Sequence, residues 1–286
     1  MLHRILGAAF LAAGLLYAAV ILFSMYRERE KLRAARGSLP LAAVMEVLVY
    51  FCASLGISDY ILNTLLARHG RYTEDRELPG TLVACGLVPG AVLAAASLLR
   101  AESPAELWTL VPCGAAVVLG SLTGARLVGR FDGEKLRRIM RAALIVSFLI
   151  LLARTLLASG AAGTAAGLHG AALWIAAGVC FLTGVINMFG IPMKPTWTAM
   201  FLLMGMSPLA TLTLVLVIGS LSPLTGGISV LRRGVYHRKL VLCAVTFGAA
   251  GAVLGTLFAV SVPAVLLNVL LLLVMLLAII TMFQSK

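Results

Sequence analysis

The chain has 286 residues, of which 61% are hydrophobic, and a formal net charge of +12. A soluble domain of this length could not hide so much apolar surface, so the composition defines an integral membrane protein whose first partner is the lipid bilayer. The Lys and Arg residues sit in short clusters between apolar runs, which is the pattern of membrane topology and not of nucleic-acid binding.

Ile5 to Tyr26 is an apolar run of spanning length. No small-residue cleavage site precedes ArgGluArgGlu (27–30), so it reads as an uncleaved anchor. Arg27 to Arg36, with five basic and two acidic residues, reads as a solvated cytoplasmic linker helix, and residues 1–38 form a unit of their own. Leu39 to Ala67 is apolar but interrupted at LeuGlyIleSer (55–58). Leu78 to Leu99, Leu107 to Val128 and Ile139 to Ala158 are then three candidate spans.

SerGlyAlaAlaGlyThrAlaAlaGly (159–167) is a small-residue connector that separates residues 39–158 from 168–286. Leu168 to Gly205 is a second interrupted segment, broken around Asn187, Gly190, Pro192, Lys194 and Pro195. Two prolines without donor N–H groups do not allow one continuous helix to pass. Pro208 to Leu231, Leu240 to Val260 and Val262 to Phe283 complete a second set of three spans.

The two halves match at several points. Gly56 and Gly190 lie 134 residues apart, Pro79 and Pro208 lie 129 apart, and the Gly120-x-x-x-Gly124 and Gly251-x-x-x-Gly255 motifs lie 131 apart. Such offsets indicate an internal repeat. The GxxxG motifs serve helix packing within the chain, with a homodimer as the other use open to them. If every apolar segment crossed once, Lys and Arg would divide 12 against 11 between the two sides. If each broken segment enters and returns on its own side, they divide 19 inside against 4 outside. The second arrangement obeys the positive-inside rule. Each half then has one re-entrant hairpin and three crossings. The expected fold is an all-α, inverted-topology repeat behind an extra N-terminal helix, with an external N-terminus and a cytoplasmic C-terminus.

Residues with chemistry to offer are few. Glu46 and Asp59 are the acids inside apolar runs, and carboxyls in a membrane usually face a cavity or a partner, so both are proton-coupling candidates. The bland alternatives are an interfacial Glu46 and an Asp59 or Ser58 that caps a half-helix. Lys194 with Thr196 at the start of the second half-helix forms an anion site, to which Asn187 adds an amide. Otherwise Lys194 snorkels to the headgroups and Trp197 is an interfacial anchor. Thr81 and Ser220, in the spans after the breaks, are further substrate-binding candidates or back-bond to their own helices. Cys52, Cys85, Cys113, Cys180 and Cys243 form no CxxC pair and read as reduced core fillers, while the four histidines have no metal-ligand spacing. No metal or cofactor is expected. HExxH, GxSxG and GxxxxGK[ST] motifs do not occur.

The Gly-rich break followed by a Pro-led span occurs twice. LeuGlySerLeuThrGlyAlaArgLeu (119–127) precedes LysLeuArgArg (135–138), and LeuMetGlyMetSerPro (203–208) precedes ArgArgGlyValTyrHisArgLys (232–239). With these features the chain, from about Leu39 to Phe283, resembles the sulfite exporter TauE/SafE family of bacterial membrane transporters. It departs from the usual pattern at LeuGlyIleSerAspTyr (55–60), which lacks a run of glycines. The resemblance implies residence in the bacterial inner membrane and export of a small sulfur-containing anion such as sulfite or an organosulfonate. The expected function is therefore secondary transport by alternating access around the two breaks, not enzymatic catalysis. An intramembrane enzyme or a non-transporting assembly protein is the alternative from another class.

Overall fold

The computed structural model describes residues 2–74, 76–99, 105–127 and 163–258, with isolated positions between 138 and 153 and at 276. The expected spans at 139–158 and 262–283 lie largely outside the described residues. Those described are almost wholly helical: α1 (Leu2–Arg27), α2 (Arg29–Ala34), α3 (Leu39–Ser54), α4 (Asp59–His69), α5 (Leu78–Leu99), α6 (Leu107–Leu127), α7 (Gly170–Asn187), α8 (Lys194–Leu203), α9 (Pro208–Arg233) and α10 (Arg238–Phe258). Six of these, α1, α5, α6, α7, α9 and α10, are long and apolar enough to cross a membrane. The chain is a multi-pass helical membrane protein.

α3 and α4 form a hairpin. Its turn closes where Gly56, at φ +91°, takes a backbone conformation that a side chain would resist, and the Gly56 N–H donates to the Ala53 carbonyl. The chain on either side of this hairpin meets at one end of the bundle. There the Tyr72 hydroxyl donates to the Ser38 carbonyl at 2.7 Å and Arg36 lies 3.4 Å from Glu74. α7 and α8 form the second hairpin, turned at Gly190 with φ +79°. Its flanks also meet: Ala165 N–H donates to the Gly205 carbonyl, and Ser207 N–H donates to the Ala165 carbonyl at 2.8 Å.

The two hairpins open at opposite ends. α1, about 39 Å long at about 1.5 Å per residue, gives the measure. Near its start His3 bonds the Ala105 carbonyl, beside the segment in which Glu106 N–H donates to Ala166 at the second mouth. Past its end, Glu28 accepts from Arg238, and Lys239 bonds the carbonyls of Ala35 and Gly37 at the first mouth. Trp108 and Trp174 are exposed near the second mouth and Tyr26 near the first, as aromatic residues stand at the two faces of a bilayer.

The glycine pairs hold the entering arm of each hairpin. A Cβ at Gly120 or Gly124 on α6 would collide with the Phe181 or Val185 carbonyl of α7. A Cβ at Gly251 on α10 would collide with the Val47 carbonyl of α3, and one at Gly255 with Ser54. Both GxxxG motifs are thus engaged by helices of the same chain. α9 lies across α5 and α6, and α1 covers α5 from outside. Within α10, residues Ala244–Gly248 widen into a π-turn that packs on the Tyr50 ring.

Candidate functional site

Asp59 and Lys194 are the first residues of α4 and α8, the short returning arms of the two hairpins. The folding of each break places them. A glycine turn ends the entering arm, the chain reverses, and the next helix begins at the charged residue. Lys194 Nζ lies 2.6 Å from Asp59 Oδ1, with 10% and 7% of the two side chains exposed. The Lys194 stem lies across Gly219 of α9, where a Cβ would stand 3.2 Å from Lys194 Cε. Asp59 Oδ2 faces Gly86 of α5, with the Pro223 ring beside it. Two spanning helices therefore thin to glycine where the charges pass.

The buried lysine settles one choice left open by the sequence: Lys194 does not snorkel to the headgroups. Trp197 is not an interfacial anchor either. It is 1% exposed, and its Nε1 donates to Thr183 Oγ1 at 2.7 Å, fixing α8 against α7. Ser58 makes no side-chain capping bond at the start of α4, and Asp59 bonds across to the other hairpin.

Around the pair lies a buried polar cluster. Asn187 Nδ2 donates to Ser222 Oγ at 2.7 Å, and Ser121 Oγ donates to the same oxygen at 2.8 Å, which joins α7, α9 and α6. Tyr60, next to Asp59, lies within reach of Asn187. Glu46 is fully buried in α3 with Asn63 and Cys85 as polar neighbours and Asp59 close enough to interact electrostatically. Among the described residues, no hydrogen bond of ordinary geometry is made by the Glu46 oxygens, by the polar atoms of Asn63 or by the hydroxyls of Tyr50 and Tyr60, although Asn63 and Cys85 stand within reach of Glu46 and Asn187 within reach of Tyr60.

The remaining sequence candidates lie elsewhere or serve the frame. Thr81 Oγ1 donates to the Glu77 carbonyl at 2.8 Å and accepts from His237 N–H at 2.9 Å, so it ties the chain at the first mouth and stands apart from the pair. Ser220 Oγ donates to the carbonyls of Gly90 and Leu216 at 2.6 and 2.7 Å and fastens α9 to α5 where they cross. Thr196 is half-buried in the first turn of α8. Tyr50, Tyr60, Asn63 and Ser121 escape a search for isolated charges. Their signal is spacing: Glu46 and Tyr50 are four apart on α3, and Asp59 and Asn63 four apart on α4, so each pair shares a helix face.

Among the described residues, no group of three or more His, Cys, Asp or Glu side chains is suited to hold a metal ion. At the first mouth, Lys31, Arg36, Tyr72, Tyr236, His237 and Arg238 line a separate cavity of about 370 Å³. Comparison with protein families, with curated proteins and with solved structures finds no match to this chain.

The site pairs a cation with a helix N-terminus, and both attract negative charge. The anion held there is the Asp59 carboxylate. Two charges taken out of water gain little net stability from each other, because desolvation offsets most of their attraction.

Proposed function

We propose that the protein is a secondary transporter of a small anion, working by alternating access around its two hairpins. The buried Lys194–Asp59 pair carries this reading, because it joins the two irregular segments at the first residue of each returning arm. An incoming anion takes the place of Asp59 on Lys194 and the first N–H groups of α8. Asn187 and Thr196 supply further hydrogen bonds, and Asp59 and Glu46 handle a proton.

Residues 39–158 and 168–286 act as two halves of an inverted repeat behind the anchor of residues 1–38. Three observations support this. The hairpins open at opposite ends, and each half's GxxxG pair seats the entering arm of the other half's hairpin. Gly86 beside Asp59 and Gly219 beside Lys194 lie 133 residues apart, an offset like those that relate the halves elsewhere. The bases of Arg27–Arg36, Arg71, Arg76 and 232–239 gather at the first mouth, which by the positive-inside rule would face the cytoplasm, and a bacterial inner membrane follows from the resemblance of the motifs. A sulfur-containing anion follows from the resemblance of the motifs, and the Lys194 site suits the charge of such a substrate.

The test is flux of sulfite and methanesulfonate into proteoliposomes. Lys194→Ala should raise the KM at least about tenfold, the loss of about 1.4 kcal/mol of binding, while the protein remains folded. Unchanged transport in that variant would remove the lysine from the mechanism.

A further inference from the structure

The charges in the buried cluster do not balance without a proton. Lys194 offers one positive charge, and Asp59 uses it at 2.6 Å. Glu46 is a second carboxyl in the same enclosure, 0% exposed, and the side chains within hydrogen-bonding reach of it among the described residues, Asn63 and Cys85, are neutral. Among the described residues, the titratable groups that act on Glu46, or on which it acts, are Tyr50 on its own helix, Asp59 from α4, Tyr72 past the end of α4, Cys85 from α5 and Cys243 from α10. None of them is a cation. A bare carboxylate in such surroundings is far costlier than a neutral acid. The enclosure is neutral when Glu46 carries a proton.

The same count applies once an anion arrives. A monoanion on Lys194 leaves Asp59 as an unpaired buried charge, and one proton restores neutrality. We infer that the site takes up one proton with each anion it binds, that it is built for a monoanion, and that Glu46 passes the proton to Asp59.

The step balances. The Glu46 O–H bond breaks as an O–H bond forms on the Asp59 carboxylate, and water at the first mouth then returns a proton to Glu46. Position favours this route. Asp59 stands at the tip of the first hairpin, while Glu46 lies about halfway along α3 between the tip and the mouth at Ser38. Tyr50, one turn along α3 from Glu46, and Asn63, within hydrogen-bonding reach of it, stand where they can bind the water or proton in transit. Lys194 with a monoanion and Asp59 with a proton together carry no net charge, so transport is electroneutral. A dianion would leave one negative charge in the enclosure.

This inference rests on the transport function proposed above, and one experiment separates the two. The full-length protein is reconstituted in proteoliposomes with methanesulfonate as probe. It is the anion of a strong acid, so its charge is fixed at neutral pH and it does not leak across the bilayer as a neutral acid. A gradient of about one pH unit should accumulate the probe about tenfold at a one-to-one ratio, since a factor of ten in proton activity drives a factor of ten in anion. A potassium diffusion potential of about 60 mV, which would move an uncompensated monoanion by a similar factor, should accumulate none. Sulfoacetate, a dianion, should be carried at least about tenfold more slowly than methanesulfonate. Asp59→Asn should abolish accumulation driven by pH and leave a flux that follows the potential. Glu46→Gln should slow the approach to the plateau without lowering the plateau. Saturable flux that follows the potential and ignores the pH gradient in the unaltered protein would overturn the inference and leave the transporter standing. Absence of saturable flux from folded protein would overturn both.

Discussion

Replacing Lys194 with methionine keeps most of the side chain's volume and removes its charge. The aliphatic stem would still lie across Gly219, so little packing changes. What changes is Asp59, whose side chain is 7% exposed and whose ion-pair partner at 2.6 Å is gone. Removing one member of a buried pair typically destabilises by about 3–5 kcal/mol, because the other charge is left unpaired. Asp59→Asn in the same chain removes that stranded charge. The double variant should therefore recover most of the loss, with a coupling energy of about 3 kcal/mol between the two sites. The assay is SDS-induced unfolding in mixed micelles for the unaltered protein, the two single variants and the double variant. A coupling energy below about 0.5 kcal/mol, the range of a solvent-exposed pair, would refute the reasoning, since it would mean that water reaches the pair.

Three further outcomes are expected. Gly219→Ala sets a Cβ 3.2 Å from Lys194 Cε and should raise the KM for methanesulfonate severalfold with unaltered expression, because the lysine has to move while the helix does not. Gly190→Ala puts a side chain on a backbone at φ +79° with a Cβ 3.1 Å from Pro79 Cα. Strain of this kind costs about 1–3 kcal/mol, to be read as a lower midpoint in the same unfolding assay. His237, just outside the membrane-spanning helices, is pushed down to about 4, chiefly by burial and also by Lys239 and Arg238. Its folded form resists a proton that its unfolded form accepts, so its contribution is complete above about pH 6.5. It is lost as pH falls from there toward about 4, by up to about 3 kcal/mol. Protonation also removes the Nδ1 lone pair that accepts from Leu240 N–H at 3.3 Å at the start of α10. His237→Gln should flatten the dependence of stability on pH across that window.

Much of the frame can be read from residue types. Apolar runs of 18 or more residues name the spanning helices, and Gly56 and Gly190 mark the turns because a reversal with positive φ all but requires glycine. Asp59 and Lys194 stand out because charge in an apolar run is rare. Their bond to each other does not stand out. It joins positions 135 residues apart and depends on how two hairpins from opposite ends meet. Thr81 and Ser220 take the back-bonding alternative for a local reason. A hydroxyl in a membrane helix has a carbonyl of its own helix within reach, and both residues use it. Ser222, two residues from Ser220, differs only in facing Asn187 and Ser121. That difference is set by the rotation of α9 against α6 and α7, which no single helix specifies.

Both charged residues open a short helix, where the backbone N–H groups favour negative charge. Asp59 agrees with the field of its own helix and Lys194 opposes it. Two hairpins that open at opposite ends thereby acquire a polarity, lodged in two side chains. Exchanging them, Asp59→Lys with Lys194→Asp, would preserve the pair and reverse that polarity. The attracting cation would then belong to the hairpin that opens at the Arg238 end. Which face of the membrane an anion is first drawn from is, on this view, a property of two residues more than of the fold, and a descendant chain could reverse it without rebuilding a helix.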